Sequence, residues 1–316
     1  AENIDRDKKT VRIASGADVP YDKLVVSPGI DLAYDSVPGY SAAASSKIPH
    51  AWKSGTQVQL LKAQVMAMKQ GGTFVMVAPP NPFRCPPGPY ERISMIAHLL
   101  KQHNPKAKII VLDPKEKFSK QGLFQQGWEN HYAGMVEWLP PSISGGLKSV
   151  DVEKMEFKAD LDTFKADAAS IIPAQKAGQI AQKAGLTDKS GWCPIVPATM
   201  QSAMDENIHI VGDASIAAAM PKSGFAANSQ AKVAAMAVRH DLTQSKMFPA
   251  RFANTCWSLI APNDGVKVGA TYKAGDKKIE STTSFISKNG ESPDVRKATY
   301  EESVGWYDGI TTDIFS

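Results

Sequence analysis

Thr73-Phe74-Val75-Met76-Val77-Ala78 runs into Pro79-Pro80-Asn81-Pro82-Phe83-Arg84-Cys85-Pro86-Pro87-Gly88-Pro89-Tyr90-Glu91-Arg92, and the reading of the chain turns on this stretch. The first six residues are a continuous apolar run bounded by turn residues, the pattern of a strand buried on both faces. An amphipathic stretch then predicts a helix over 90–102, and Lys108-Ile109-Ile110-Val111-Leu112-Asp113-Pro114 reads as a second buried strand ending in an acid. Strand, helix, strand, acid is the order of a parallel βαβ unit. Between strand and helix, Cys85 is set in a proline-rich loop. Proline fixes its own φ and restricts the residue before it, so the loop presents the thiol in one geometry. Glu91 lies six positions on, near the helix start. Such a cysteine reads as redox-active or nucleophilic more than as core filler.

Working outward, residues 52–70 carry helical spacing (Leu60, Leu61, Val65, Met66), and Gly71-Gly72 ends that helix. Residues 1–47 read as short strands and turns, with strands at Thr10-Val11-Arg12-Ile13 and Tyr21-Asp22-Lys23-Leu24-Val25-Val26. The middle, 115–170, is more polar, with Trp128 and Trp138 as anchors. Asp167-Ala168-Ala169-Ser170-Ile171-Ile172-Pro173 predicts another strand. Ile208-His209-Ile210-Val211-Gly212-Asp213-Ala214 is a strand running into a Gly-Asp turn, and 224–239 is alanine-rich and helical. A new segment opens near Pro249. It holds Cys256, alternating strands such as 266–272, and a terminal Trp306-Tyr307 pair.

With 316 residues, the chain has room for two or three domains. Its apolar fraction of 43%, charged fraction of 22% and formal charge of +4 are those of an ordinary globular protein. Basic residues are scattered, which points away from nucleic acid. No run of about 18 apolar residues exists to span a membrane. No secretory leader stands at the start, and Ala1-Glu2-Asn3 suits either a cleavage site or an internal cut. The three cysteines, Cys85, Cys193 and Cys256, form no C-x-x-C, so neither a zinc cluster nor a c-type haem is attached here. By count alone they allow three reduced core thiols, or one disulfide and one buried thiol. The six histidines show no ligand spacing, and no metal is assigned.

The Gly212-Asp213 turn points to a flavin. In two-dinucleotide flavoproteins a late strand ends in Gly-Asp, and the aspartate accepts a hydrogen bond from a ribityl hydroxyl of FAD. The next helix, from Gly224, directs its positive N-terminus at the flavin ring. A plain strand-turn-helix with a capping aspartate is the alternative. Leu24-Val25-Val26-Ser27-Pro28-Gly29 matches the signature by which the same fold returns to the flavin domain.

Taken together, 21–29, Ile48-Pro49-His50-Ala51-Trp52-Lys53, 82–92, Gly191-Trp192-Cys193-Pro194, 211–215, Pro221-Lys222-Ser223-Gly224 and Asn254-Thr255-Cys256 resemble the flavoprotein subunit of flavocytochrome c sulfide dehydrogenase, a sulfide:cytochrome c oxidoreductase. The resemblance implies an α/β, glutathione-reductase-like fold with two dinucleotide-binding domains, the first Rossmann unit incomplete, and a C-terminal α+β domain. The implied boundaries are 1–47 with 188–245 for the FAD domain and 48–187 for an NAD-binding-like domain without a nucleotide fingerprint. Residues 246–316 would form a flavin-covering interface domain. It implies FAD as cofactor, with Pro28, Gly29, Gly212, Asp213, Ser223, Gly224 and Trp306 at its site. It also implies a redox-active disulfide between Cys85 and Cys256, with Glu91 beside it. The implied enzyme oxidises sulfide to sulfur or polysulfide and passes electrons to a c-type cytochrome subunit in a heterodimer. A persistent disulfide and such a partner suit the periplasm.

Alternatives stand beside several of these roles. The cysteine pair has a purely structural disulfide as its alternative. Glu91 either moves protons or, as a first-turn acid, stabilises the helix dipole. Arg84 and Arg92 either attract hydrosulfide or are solvated, and Cys193 packs as a small hydrophobe. Trp306 and Tyr307 line the flavin or pack in a core. One departure is plain: no G-x-G-x-x-G turn precedes residue 29, and the early cysteine that bonds the family's flavin has no counterpart. The expectation is a truncated chain that alone holds FAD weakly or not at all. The turn at 78–82 offers prolines where a pyrophosphate needs amides, so NAD is not expected there. The competing readings are a sulfide:quinone oxidoreductase and a flavin-free cytochrome-binding module. The first would carry an amphipathic C-terminal anchor, whereas this C-terminus is polar and mixed.

Overall fold

The computed structural model describes residues 1–316. The elements that position the site are, in chain order, β1 (Leu24–Val26), α1 (Thr56–Met66), β2 (Thr73–Val77), α2 (Gly88–His103), β3 (Lys108–Leu112), α3 (Gln121–Tyr132), β4 (Val136–Leu139) and β5 (Ala168–Ile171). They continue with β6 (Asp205–Ile210), α4 (Gly224–Thr243), β7 (Arg251–Ala261), β8 (Asp264–Ala274), β9 (Ile279–Ile286) and α5 (Pro293–Phe315).

The chain falls into two compact units. One comprises residues 1–32, 175–256 and 268–285, the other 33–174, 257–267 and 286–316. The boundaries read from the sequence assigned 33–47 with the first group and 48–187 as one block, and kept 246–316 together. The three long strands β7, β8 and β9, which form one sheet, contribute to both units.

In the larger unit β2, β3, β4 and β5 form a wholly parallel sheet in the order β5-β2-β3-β4. Period-2 alternation splits each strand between two cores. Phe74, Met76, Ile109 and Val111 turn to the helical side and pack with Leu61 and Val65 of α1, Ile93 and Ala97 of α2, and Leu123 and Phe124 of α3. Val75, Val77 and Leu112 turn the other way, onto Val37, Tyr40, Ile48, Val150 and Phe157. A strand buried on both faces has no polar side to alternate with, which is why 73–78 is apolar throughout.

The acid that ends β3 is fully enclosed. Asp113 accepts from the Tyr90 hydroxyl, from Trp138 Nε1 at 3.0 Å and from Lys115 Nζ at 2.6 Å. In a dinucleotide-binding domain an acid here takes a ribose hydroxyl; this one is committed to its own neighbours. In the smaller unit β6 runs parallel to β1, with Ile208, His209 and Ile210 opposite Leu24, Val25 and Val26. Helix α4 buries Ala226, Val233 and Ala234 with Phe252, Tyr272 and Ile279.

The terminal helix α5, like α3 and β4, is an element that sequence reading missed. It is 23 residues long and capped by Ser292, but buries only Arg296 and Thr299. Arg296 and His131 both reach Asp264, the latter at 2.6 Å. No helix of the chain is long and apolar enough to cross a membrane.

Removing the Asp113 carboxylate leaves the Lys115 ammonium, only 9% exposed, without its counter-charge. Asp113→Ala is expected to cost about 3–5 kcal/mol, read as a lowered midpoint in urea with an unchanged slope.

Candidate functional site

Cys85 is half-buried and takes φ +55°, a left-handed backbone that a side chain rarely adopts. The Gly88 amide donates to the Cys85 carbonyl at 2.8 Å and closes a turn that starts α2. Gly88 is required by contact. A Cβ there would sit 2.9 Å from Cys85 Sγ and 2.8 Å from the Trp52 ring edge. The Pro86-Pro87-Gly88-Pro89 sequence thus sets the thiol against the first turn of α2, where Gly88 also meets the edge of the Trp52 ring.

Glu91 is on that same turn. Its Oε1 accepts the Leu259 backbone amide of β7 at 2.8 Å. Desolvation raises its carboxyl above the ordinary glutamate value, opposed by this hydrogen bond and by the charge of Lys120. It is therefore not a solvated first-turn acid. It lines a cavity of about 720 Å³ whose other walls are mainly Leu, Val, Ile and Met from α1 and α2 and residues 259–262 of β7.

Arg92, weighed from sequence as an anion collector, does something else. Its guanidinium donates to the carbonyls of His50, at 2.8 Å, and Ala51, and lies over Trp52. Burial lowers its pKa to about 10. It splices the 50–52 loop to α2, and its donors are committed to these carbonyls and to the Ser170 hydroxyl.

In the other unit the strands β1 and β6 end side by side, in Ser27-Pro28-Gly29 and Gly212-Asp213. Gly29 and Gly212 take φ +64° and +78°, open to glycine without strain. Lys222 pins the second turn: its Nζ donates to the carbonyls of Asp213 at 2.6 Å and Ser215 at 2.9 Å, and stands 3.7 Å from the centre of the Trp192 ring. Burial lowers its pKa to about 8. Ser223 caps α4, accepting from the Ala226 amide at 3.1 Å and donating to Asn254 Oδ1. Gly224, the first helical residue, is exposed. An aspartate on a glycine turn, beside the open N-terminus of a 20-residue helix, forms a donor and acceptor set that fits the ribityl chain and ring of a flavin. The glycine-rich turn for a pyrophosphate is not among residues 1–316.

Cys256 is 9% exposed and lies on the inward face of β7; Asn254 Nδ2 donates to its sulfur at 3.3 Å. Cys193 is wholly buried, and burial pushes its thiol up to about 12, as expected of a packing residue. All three cysteines stand as thiols. The Trp306 ring lies 5.5 Å from that of Trp257, tilted by 30°, and Trp257 Nε1 donates to Glu302. Sequence reading passed over Lys120 and quoted Lys222 only as part of a family-like segment. Buried lysines carry no local signature, because what buries them is remote in sequence.

A parallel sheet, a Gly-Asp turn and a capped helix define an FAD-dependent pyridine nucleotide-disulfide oxidoreductase fold. The same fold occurs in the sulfide:quinone oxidoreductase of Aquifex aeolicus, with TM-score 0.63, 18% identity and 97% of this chain covering 73% of that one. It occurs in a ferredoxin reductase from Rhodopseudomonas palustris, with TM-score 0.56, 15% identity and coverage of 88% and 71%. A third is an FAD-dependent pyridine nucleotide-disulphide oxidoreductase from Desulfovibrio vulgaris, with TM-score 0.50, 19% identity and coverage of 86% and 66%. Residues 58–173 match the central region of the sulfide dehydrogenase [flavocytochrome c] flavoprotein chain, and 248–315 match the flavin-binding domain of flavocytochrome c sulphide dehydrogenase. The chain belongs to this flavocytochrome c sulfide dehydrogenase flavoprotein family, and FAD is its cofactor.

Because only glycine fits between Cys85 and Trp52, Gly88→Ala must displace one of them. We expect about 1–3 kcal/mol of destabilisation and a several-fold change in the alkylation rate of Cys85, measured by mass spectrometry. An unchanged rate would show that the contact does not hold the thiol.

Proposed function

We propose that this chain is the sulfide-oxidising flavoprotein of a sulfide:cytochrome c oxidoreductase. The observation that carries the reading is the placement of Cys85 against the first turn of α2 together with the desolvated carboxyl of Glu91 on that turn, in a chain of this family. Cys85 and Cys256 work as a pair. In the oxidised pair, hydrosulfide attacks one sulfur, a new S–S bond forms as a persulfide, the old S–S bond breaks, and the other sulfur leaves as a thiolate. Cys85, the more exposed of the two, is the sulfur that receives the attack. A second hydrosulfide then takes the outer sulfur away as HSS⁻, leaving both cysteines as thiolates, and FAD, when bound, would accept the electron pair released as they re-form the disulfide.

The chain's own residues prepare this step. Glu91 takes the proton that H₂S or a thiol must lose. Gly212 and Gly29 leave room at the ends of β1 and β6, and Asp213, Ser223 and Gly224 hold the flavin. Trp306 covers it. Electrons leave to a c-type cytochrome partner, and the protein works in the periplasm, where a reactive disulfide persists. Enclosure of Asp113 and the prolines at 79, 80 and 82 support an electron source other than a dinucleotide.

Flavin absorbance tests the reading. Sulfide should bleach it and cytochrome c should restore it. Restoration by quinone alone would move the acceptor, and no bleaching would end the proposal. Cys85→Ser should slow bleaching by at least about a hundredfold, in line with loss of a covalent nucleophile.

Glu91 also sets a sign for pH. Desolvation raises its carboxyl, so the base form appears only as pH climbs above the ordinary glutamate value. The bleaching rate should therefore rise with pH through a limb lying above that value, and the limb should vanish in Glu91→Gln. A limb that survives the substitution belongs to another group.

A further inference from the structure

Lys120 is 5% exposed, and its φ of +62° is left-handed. It occupies the N-cap of α3, yet its side chain turns inward: Nζ donates to Ser258 Oγ at 2.8 Å, and Ser258 is fully buried. Ser258 is followed by Leu259, whose amide donates to Glu91. The ammonium and the carboxyl are therefore held on neighbouring residues of β7, and Lys120 acts electrostatically on Glu91. The segment carrying Lys120 is fixed to the segment carrying Glu91 by a ring stack, Phe118 on Tyr90, with centroids 3.6 Å apart. Burying an ammonium costs several kcal/mol, and a serine hydroxyl offsets little of it. An opposite charge offsets more.

We propose, resting on the sulfide-oxidising reading above, that Lys120 is a positioning residue of this site. Its buried ammonium holds Glu91 as the carboxylate that takes the proton of H₂S or of a cysteine thiol. The balance is one proton passed from sulfur to a Glu91 oxygen, leaving HS⁻ or a thiolate and a neutral Glu91, which later releases the proton to solvent. Other titratable groups share the cavity wall with Glu91: Lys62 of α1, Arg92 and His98 of α2, and Tyr300 of α5. Cys85 precedes the same helix. The donors of Arg92 are on the carbonyls of His50 and Ala51, which leaves Lys120 as the cation aimed at the strand that Glu91 binds.

The test uses the FAD-loaded full chain and two readouts. Infrared difference spectroscopy, with Glu91→Gln to assign the band, follows the protonated carboxyl of Glu91 against pH without sulfide. Stopped-flow bleaching by sulfide gives the rate limb. Lys120→Met should move both about one pH unit or more upward, the effect of losing a close opposite charge, and Lys120→Arg should restore them. A band that titrates at the same pH in Lys120→Met overturns the inference, as does a moved band with an unmoved rate limb. Should Lys120→Met fail to fold, Lys120→Gln serves in its place with the same two outcomes. An unaltered protein that sulfide does not bleach would sink the sulfide reading, and the step assigned to Lys120 with it, whereas the band alone decides whether Lys120 sets the titration of Glu91.

Discussion

Strand β7 turns every second side chain inward, and three of those side chains, Asn254, Cys256 and Ser258, are polar. A buried polar group is tolerated only when it is hydrogen-bonded. Asn254 meets the hydroxyl of Ser223 and the sulfur of Cys256, and Ser258 meets the ammonium of Lys120. The strand backbone adds one more partner, the carboxyl of Glu91 on the Leu259 amide. An aliphatic strand would have needed none of the side-chain partners. The polar face of β7 thus calls for two of its neighbours, the N-cap of α4 and the lysine before α3, and its backbone for a third, the first-turn acid of α2. They are also the groups on which the candidate chemistry rests.

The end of a parallel sheet is where doubly wound folds bind ligands. Here that edge has been refitted. A dinucleotide site needs backbone donors after the first strand and an acid after the second. The chain has prolines in the first place and an acid already held by Tyr90, Trp138 and Lys115 in the second. Beyond β2 the loop delivers a cysteine locked to a helix start. The architecture is kept while the chemistry at its edge changes from anion binding to a thiol before, and a desolvated acid on, the first turn of one helix.

The parallel unit was legible because a sheet covered on both faces leaves continuous apolar runs, as at 73–78 and 108–112, with a helix-period stretch between. The Gly-Asp turn was legible for a similar local reason. Helix α5 was not, because a helix that buries only Arg296 and Thr299 has no apolar stripe to read. The state of Glu91 was ambiguous for a different reason. Any acid in a first turn stabilises the dipole, and its desolvation depends on Leu259, 168 residues away. The arginines were open in the same sense. Only tertiary closure shows that the donors of Arg92 go to carbonyls of the 50–51 loop. For these residues, what depends on contacts along the chain was readable, and what depends on a partner far along it was not.

Left-handed backbone sharpens the same distinction. Nine residues other than glycine take positive φ, among them Lys9 and Asn263, which sit in ordinary turns. Positive φ alone therefore marks nothing. Cys85 and Lys120 differ in what holds them there. Behind Cys85 stands a glycine whose missing Cβ is the space the thiol occupies, and behind Lys120 a stacked tyrosine and phenylalanine. A glycine at either position would relieve a cost of about 1–2 kcal/mol, but it would remove the sulfur or the charge. That both residues keep their side chains on a strained backbone, on either side of Glu91 in sequence, is the pattern expected where surrounding structure is used to hold reactive groups in place.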